Sequence, residues 1–434
     1  MIEARAFDSM NPTGRATKGL TFLAVTASFC VSPMLLTAIG VNYEGVGGNP
    51  LVKIHPANWI FAVALLSNWL SKRDPVRYVS ELPRAFPGAL LFLAMEILTL
   101  VFATLVQHVP ATLLVDTFFA ATAMLVLYDD LDESTRAGLR LLAHLILFIN
   151  ACVGIVEFFT QTRLTPYVVA GIPVLHDYRS TALFGHPLLN SGTTAAYILM
   201  LFLGGHPRGR PFLKLALILV QSMALIAFGG RTAIVLLGIF LAAGSLPTIA
   251  GILNGRRFNQ RAGLAFVLGL PTILVASVAA ASNGVFTNFV ERFVDDKGSA
   301  QARFVIFDLF NYFSLEEILL GPDPQRLASL QTTLGIEYGI ENSWLDFVFR
   351  YGAVATAFFV LGLLALLGDF MRRARPRSIL LVVYFLMLVS SSASISVKSF
   401  AFNQFAILLL VLFGREAEPA IARPESLAPP FVRG

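Results

Sequence analysis

The chain has 434 residues, 56% of them hydrophobic and 14% charged, with a formal net charge of +5 and a mean hydropathy of +0.72. That composition excludes an ordinary soluble enzyme and points to a protein with many membrane spans. No Walker loop, dinucleotide fingerprint or zinc-spaced Cys/His set is present, and both cysteines, Cys30 and Cys152, fall in apolar stretches, so ATP-driven chemistry, a structural disulfide and a cysteine metal site are not expected.

A spanning helix needs about 20 mostly apolar residues. In chain order, a basic segment (1–18) precedes nine predicted spans near 19–40, 56–71, 86–106, 111–128, 139–160, 187–204, 212–228, 232–250 and 263–281. A large loop, 282–342, follows, then spans near 343–367, 378–395 and 400–414, and a Pro-rich tail (415–434) that reads as disordered. The expected fold class is therefore an all-α polytopic membrane protein with about 12 transmembrane helices and one large external loop. The first span resembles an uncleaved signal sequence. The second span is short, and Ser390, Ser391 and Ser392 dilute the eleventh.

Lys and Arg accumulate in cytoplasmic loops. With both termini inside, 22 of the 32 basic residues fall in cytoplasmic segments, among them Lys18, Lys72, Arg136, Arg140, Arg372, Arg373 and Arg415. The positive charge is thus topological and does not argue for a nucleic-acid partner. The other ten, Lys53, Arg163, Arg179, Arg231, Arg292, Lys297, Arg303, Arg326, Arg350 and Lys398, fall outside, where topology has no use for them.

Three outer clusters carry the functional signal. The first is the irregular segment 161–190, with His176, Arg179, Phe184-Gly185-His186-Pro187 and Asn190, residue types suited to a sugar or a phosphate. Next comes Gly229-Gly230-Arg231-Thr232, a tight turn at which an anion would meet a guanidinium and the N–H groups of a helix N-terminus; the alternative is a hairpin tip with a snorkelling arginine. In the loop 282–342, Arg303 lies in a mixed apolar and charged stretch (302–310) with the character of an interfacial helix. That loop ends at Glu341-Asn342, where a carboxylate shielded from water could act as a general base, or Glu341 could favour the helix dipole while Asn342 caps the helix. Glu96 and Glu157 are acids inside predicted spans, and no partner for Glu96 is evident.

These clusters, in this order, resemble the bacterial O-antigen ligase and O-antigen or exopolysaccharide polymerase superfamily. Arg179 with Phe184-Gly185-His186-Pro187 and Asn190 looks like the family's arginine and Phe-x-x-Pro-Asn element, with two leucines separating Pro187 from Asn190. Gly230-Arg231-Thr232-Ala233 is similar to its Ser-Arg-Thr/Gly-Ala turn, and Arg303, Phe307 and Leu320-Gly321 to its loop segment. Glu341-Asn342, nine residues and Gly352 match the ligase His-Asn motif in spacing, with Glu341 in place of histidine and Ala355 where Gly, Thr or Tyr is usual. Those departures favour an exopolysaccharide polymerase.

The resemblance implies an inverting membrane glycosyltransferase without cofactor or metal, acting at the periplasmic face of a bacterial inner membrane. Its donor would be an undecaprenyl-diphosphate-linked oligosaccharide, and its partners membrane lipids and a flippase, chain-length regulator or export proteins. Catalytic roles would fall to Glu341 as base and to Arg231 and Arg303 on the diphosphate. Arg179, His186, Asn190 and Asn342 would contact substrate. The rival readings are a ligase with another acceptor, a polysaccharide transporter and a non-catalytic partner of a secretion complex.

Overall fold

The computed structural model describes residues 14–43, 47–108, 112–169, 172–174, 179–205, 210–255, 299–336 and 339–415. The predicted ninth span, the tail beyond Arg415 that the sequence reads as disordered, His176, Arg292 and Lys297 lie outside the described residues, and described side chains after residue 298 begin at Phe304.

Proline sets many of the helix starts. Its fixed φ and missing N–H suit the first helical turn. It stands there in α2 (Pro33–Ala38), α3 (Pro56–Leu70), α4 (Pro75–Ala85), α5 (Pro87–Leu105), α8 (Pro187–Phe202) and α9 (Pro211–Phe228). Between and before these run α1 (Arg15–Cys30), α6 (Thr112–Asp130) and α7 (Glu133–Thr160), and α10 (Arg231–Leu253) follows. Beyond the gap come α11 (Ser299–Asp308), α12 (Leu315–Leu320), α13 (Pro324–Thr333), α14 (Ser343–Tyr351), α15 (Ala353–Arg373), α16 (Ser378–Val389) and α17 (Ala401–Phe413). Strand pairing among the described residues is limited to a two-residue ladder, Val168–Val169 with Ile172–Pro173.

Six described helices, α5, α6, α7, α9, α10 and α15, are long and apolar enough to cross a membrane. Large apolar side chains such as Ile97, Leu141, Phe159, Ile239 and Leu361 face outward, as lipid contact requires. The chain is an all-helical membrane protein. Among the described residues, the remaining predicted spans correspond to shorter helices or are broken. The run 19–40 stops at Cys30 and restarts after the Ser32 cap as α2, and 378–395 stops at Val389, before the serines.

The run 343–367 also divides, into α14 and α15, at Gly352. That residue has φ +84, and a Cβ there would lie 2.5 Å from the Leu319 carbonyl oxygen and 2.6 Å from the Gly321 nitrogen. Gly321 has φ +95, so two glycines in the left-handed region meet backbone to backbone. Asn342 is the N-cap of α14 and Gly352 its C-cap, so the nine-residue spacing of the sequence motif is the length of one helix.

At the centre stands α17, buried at every position, with α6, α8 and the phenylalanines of neighbouring helices around it. Phe92, Phe118, Phe359 and Phe402 form one chain of tilted and edge contacts through the core. In the loop, α11 to α13 build a smaller cluster in which Ile306, Leu309, Leu327 and Ile340 gather with Phe349 of α14, while Phe304 and Phe307 stay exposed.

The two ends of the bundle differ in chemistry. At the end where α1 starts, Lys18 pairs with Asp132 at 3.0 Å, Lys72 with Asp130 at 3.0 Å and Arg373 with Asp129 at 2.7 Å, and Arg140 and Arg372 pair with Glu133 and Asp369. These are residues that the charge pattern groups on one side. At the opposite end, Asp116 accepts from Tyr43 Oη, from the His55 N–H at 2.7 Å and from Asn58 at 2.7 Å. Lys398 donates there to the carbonyls of Tyr43 (3.0 Å) and Lys53 (2.8 Å), so this lysine clamps loops together.

Candidate anion-binding site

The site is built from the end of α7. Gln161 leaves that helix in the left-handed region, and the chain turns back over the helix end. Glu157, buried near the end of α7, collects three backbone donors from the returning chain: Leu164 at 2.6 Å, Thr181 at 2.8 Å and Ala182 at 3.0 Å. Ala182 is held at φ +39, a strained value for a residue with a Cβ, and the Glu157 carboxylate is what fixes it. The presence of a carboxylate near the end of this apolar helix is thereby accounted for structurally: Glu157 positions the loop that carries Arg179.

A second framework layer comes from asparagines. Asn150 accepts from the Leu183 N–H at 3.0 Å and donates to Asn190 Oδ1 at 2.9 Å. Asn190 donates to the carbonyls of Thr181 (2.6 Å) and His186 (3.0 Å), so its amide is fully engaged by the protein and serves to brace the loop. Asn342 likewise accepts from the N–H groups of Trp344 and Leu345, the capping role.

On this frame sits a group of basic and aromatic side chains. Arg163 donates to the carbonyls of Val174 (2.6 Å) and Arg179 (3.0 Å), tying both strands of the loop. Tyr167 lies under two guanidinium groups, with Arg163 5.6 Å and Arg179 5.8 Å from its ring centre, and the His186 ring meets it edge-on at 5.3 Å. His186 Nδ1 accepts from the Leu188 N–H at 3.2 Å, capping α8. Burial and the neighbouring Arg179 charge push His186 down to about 4. Burial also lowers the Arg179 pKa, against the opposing influence of Tyr167 and of the Glu341 carboxylate. Glu341, itself exposed, is therefore within electrostatic reach of Arg179 although 162 positions separate them in the chain.

The Arg231 turn joins from the other side. Gly229 is at φ +68, and the Gly230 N–H donates to Ser191 Oγ at 3.0 Å. A Cβ at Gly230 would lie 2.4 Å from Ser191 Cβ, so only glycine lets the turn press against the first turn of α8. The Ser180 N–H donates to the Ala227 carbonyl at 3.2 Å, linking this hairpin to the residue next to Arg179. Three separate stretches, around Arg179, His186 and Arg231, thus share one junction, with Glu341 reaching it electrostatically. Arg303 lies on α11, before the first described side chain of that helix.

Sequence reasoning did not single out Tyr167, Arg163 as a loop tie, or Ser191. An aromatic residue between two arginines in a Pro-rich outer loop is the signal that could have found Tyr167. Among the described residues no group of three or more His, Cys, Asp or Glu side chains could hold a metal ion. No protein-family model matches the chain, and no curated protein matches it.

Proposed function

We propose that this protein is a polysaccharide polymerase of the inner membrane, joining undecaprenyl-diphosphate-linked repeat units at the periplasmic face, with both termini in the cytoplasm. In this reading the chain crosses the membrane about twelve times, the short helices completing their crossings through α2-like and extended segments. The observation that carries the reading is the convergence of Arg179, His186 and the Arg231 turn on a braced frame, with a carboxylate in electrostatic reach.

Glycosyl transfer from a lipid diphosphate breaks the bond between the anomeric carbon and the diphosphate oxygen, so negative charge grows on the leaving group. Guanidinium groups fixed in advance stabilise that charge, and Arg231 at a helix N-terminus adds backbone N–H groups to the same task. Arg179 is the second contact, and Arg303 the third if α11 closes over the donor. Glu341 takes the proton from the acceptor hydroxyl as the new bond forms on the opposite face of the sugar, which inverts the anomeric centre. His186, kept neutral by burial and by Arg179, offers a hydrogen bond to a sugar rather than another charge.

The test is direct. Purified protein in liposomes, given lipid-linked repeat units, should convert them to a ladder of longer lipid-linked chains. Unchanged repeat units overturn the reading; transfer to a non-glycan acceptor would make the protein a ligase.

A further inference from the structure

Helix α4 links α3 to α5 at the end of the bundle where α1 starts, and its sequence divides into three stripes. Tyr78, Leu82 and Ala85, at spacings of four and three, form the stripe that packs on the protein. Val76, Val79 and Pro83, at spacings of three and four, form an exposed apolar stripe, and Val76 keeps 79% of its surface open. Arg77, Ser80 and Arg84 repeat that spacing one residue later, so an exposed stripe with two arginines lies about 100° round from the valines. Both ends of the helix are tied down. Tyr78 Oη donates to Asp130, the partner of Lys72, at 2.8 Å, and Trp69 Nε1 donates to the Pro75 carbonyl at 3.0 Å. At the far end Arg373 donates to the Ala85 carbonyl at 3.0 Å and lies 4.1 Å from the centre of the Phe86 ring. Helix α4 therefore cannot roll to bury its valines, and its two outer stripes are fixed features of the surface.

Water gives this arrangement no advantage. Valine is a mediocre helix former, and an exposed pair of valines gains nothing from burial. Lipid accounts for it. Leu66, Trp69 and Leu70 face outward at the end of α3, and Leu90 and Leu91 do so at the start of α5, so α4 joins two lipid-facing surfaces. The charge fits the same boundary. The acids of the segment are engaged: Asp74 caps the helix, and Glu81 holds Arg77 at 2.8 Å. Arg73 and Arg84 are exposed and have no ion-pair partner among the described residues. A helix with an apolar stripe beside a basic one suits the membrane interface, where valines enter the acyl chains and arginines reach the headgroups.

We propose that α4 docks on the headgroups of acidic phospholipids, with Val76, Val79 and Pro83 among the acyl chains and Arg73 and Arg84 on headgroup phosphates. The partner is a lipid surface, because a free anion would satisfy the arginines and leave the valines in water. Acidic lipid attracts each exposed basic residue near its surface, so the stability of the protein responds to the lipid composition of its own membrane. This inference does not depend on the polysaccharide reading.

The experiment uses the full chain in phosphatidylcholine vesicles with or without phosphatidylglycerol. In a Cys30→Ala, Cys152→Ala background, nitroxides on Val76→Cys and Val79→Cys should be relaxed more by oxygen, which partitions into lipid, than by a water-soluble nickel chelate. A nitroxide on Ser80→Cys should show the reverse, and equal behaviour at positions 76 and 80 overturns the docking. Phosphatidylglycerol should raise the unfolding temperature of the unsubstituted protein. The Arg73→Gln, Arg84→Gln double variant should lose most of that rise while matching the unsubstituted protein in phosphatidylcholine alone. Lysine at both positions should keep the rise, because its charge reaches the same headgroups. A rise retained by the glutamine variant, or a glutamine variant already destabilised in phosphatidylcholine, overturns the headgroup contact. Inorganic phosphate added to phosphatidylcholine vesicles should give no rise; an equal rise would make this a site for the free anion and overturn membrane docking.

Discussion

Around the starts of α1 and α7, lysines and arginines meet carboxylates; around Tyr167 the contacts found for Arg163 and Arg179 are carbonyl oxygens and an aromatic face. The residue types are the same, and the consequence is opposite. A carboxylate cancels the charge of its arginine, whereas a carbonyl or a ring orients a guanidinium and leaves its full unit charge in place. The Lys72–Asp130 pair, with side chains 3% and 9% exposed, is a neutral structural staple. The Arg163, Arg179 and Arg231 junction is held in shape by the Glu157 carboxylate and the Asn150 and Asn190 amides, which engage its backbone. Substitution at the first end should therefore cost folding, and at the second it should cost activity.

The largest effect is expected at Glu341. Replacement by glutamine keeps shape and polarity but removes the proton acceptor, for a loss of about 10²–10⁴-fold in polymer formation per folded molecule. Donor binding should persist because the arginines are untouched. Full activity in the Glu341→Gln protein would leave that carboxylate only the minor role of favouring a helix start.

Lys72→Met tests the other side of the comparison. Removing one partner strands Asp130, which Asn68 (2.6 Å) and Tyr78 (2.8 Å) still contact, in a buried setting. Stability should fall by about 3–5 kcal/mol, and Asp130→Leu in the same protein should recover much of it. Thermal unfolding in detergent gives the first quantity, and activity normalised to folded protein should not change. An activity loss at constant stability would erase the distinction between the two ends.

Arg231→Lys is the converse. The charge remains but the planar two-point grip does not, so about 2–4 kcal/mol of transition-state stabilisation should disappear with unfolding temperature unaltered. A near wild-type rate would make Arg231 a snorkelling residue at a hairpin tip.

Hydropathy located the apolar helices, because burial and lipid contact both demand apolar residues, and the charge pattern separated the two ends that the ion pairs and loop clamps occupy. Helices α4, α12 and α13, in polar segments read as loop, were not located. Hydropathy also failed where backbone conformation decides. The run 343–367 is apolar enough to read as one span, and only the left-handed Gly352, pressed on Leu319–Gly321, divides it. The serines after Val389 looked like dilution of a span. They are the seat of α14: Ser343 Oγ donates to the Ser392 carbonyl at 2.7 Å and Trp344 Nε1 to Ser390 Oγ at 2.7 Å. In the candidate site Arg179, His186 and Arg231 were legible by type and side. Asn190 was legible as a polar candidate substrate contact, but its burial and its partners Asn150 and Thr181 are set by tertiary packing that no local pattern encodes. Glu157 looked anomalous for the same reason.

The smallest effect lies at His186, where the two kinds of charge management meet in one side chain. Its Nδ1 must be unprotonated to accept from Leu188, and its neighbour Arg179 repels a second positive charge. The native pKa of about 4 lies below the ordinary 6.5, so between those values the unfolded chain binds a proton that the folded one refuses. The stabilisation is thus complete above pH 6.5 and declines as pH falls through the window toward 4. His186→Asn keeps a cap acceptor without a titratable ring, so its unfolding temperature should decline less than that of the wild type over that window. At neutral pH the asparagine variant should be nearly as stable, whereas His186→Ala should lose about 0.5–2 kcal/mol, the usual cost of a missing N-cap. Parallel declines in wild type and His186→Asn would mean that the ring is already charged in the folded protein. Arg179 would then stand beside another cation, and the site would hold more positive charge than the present assignment allows.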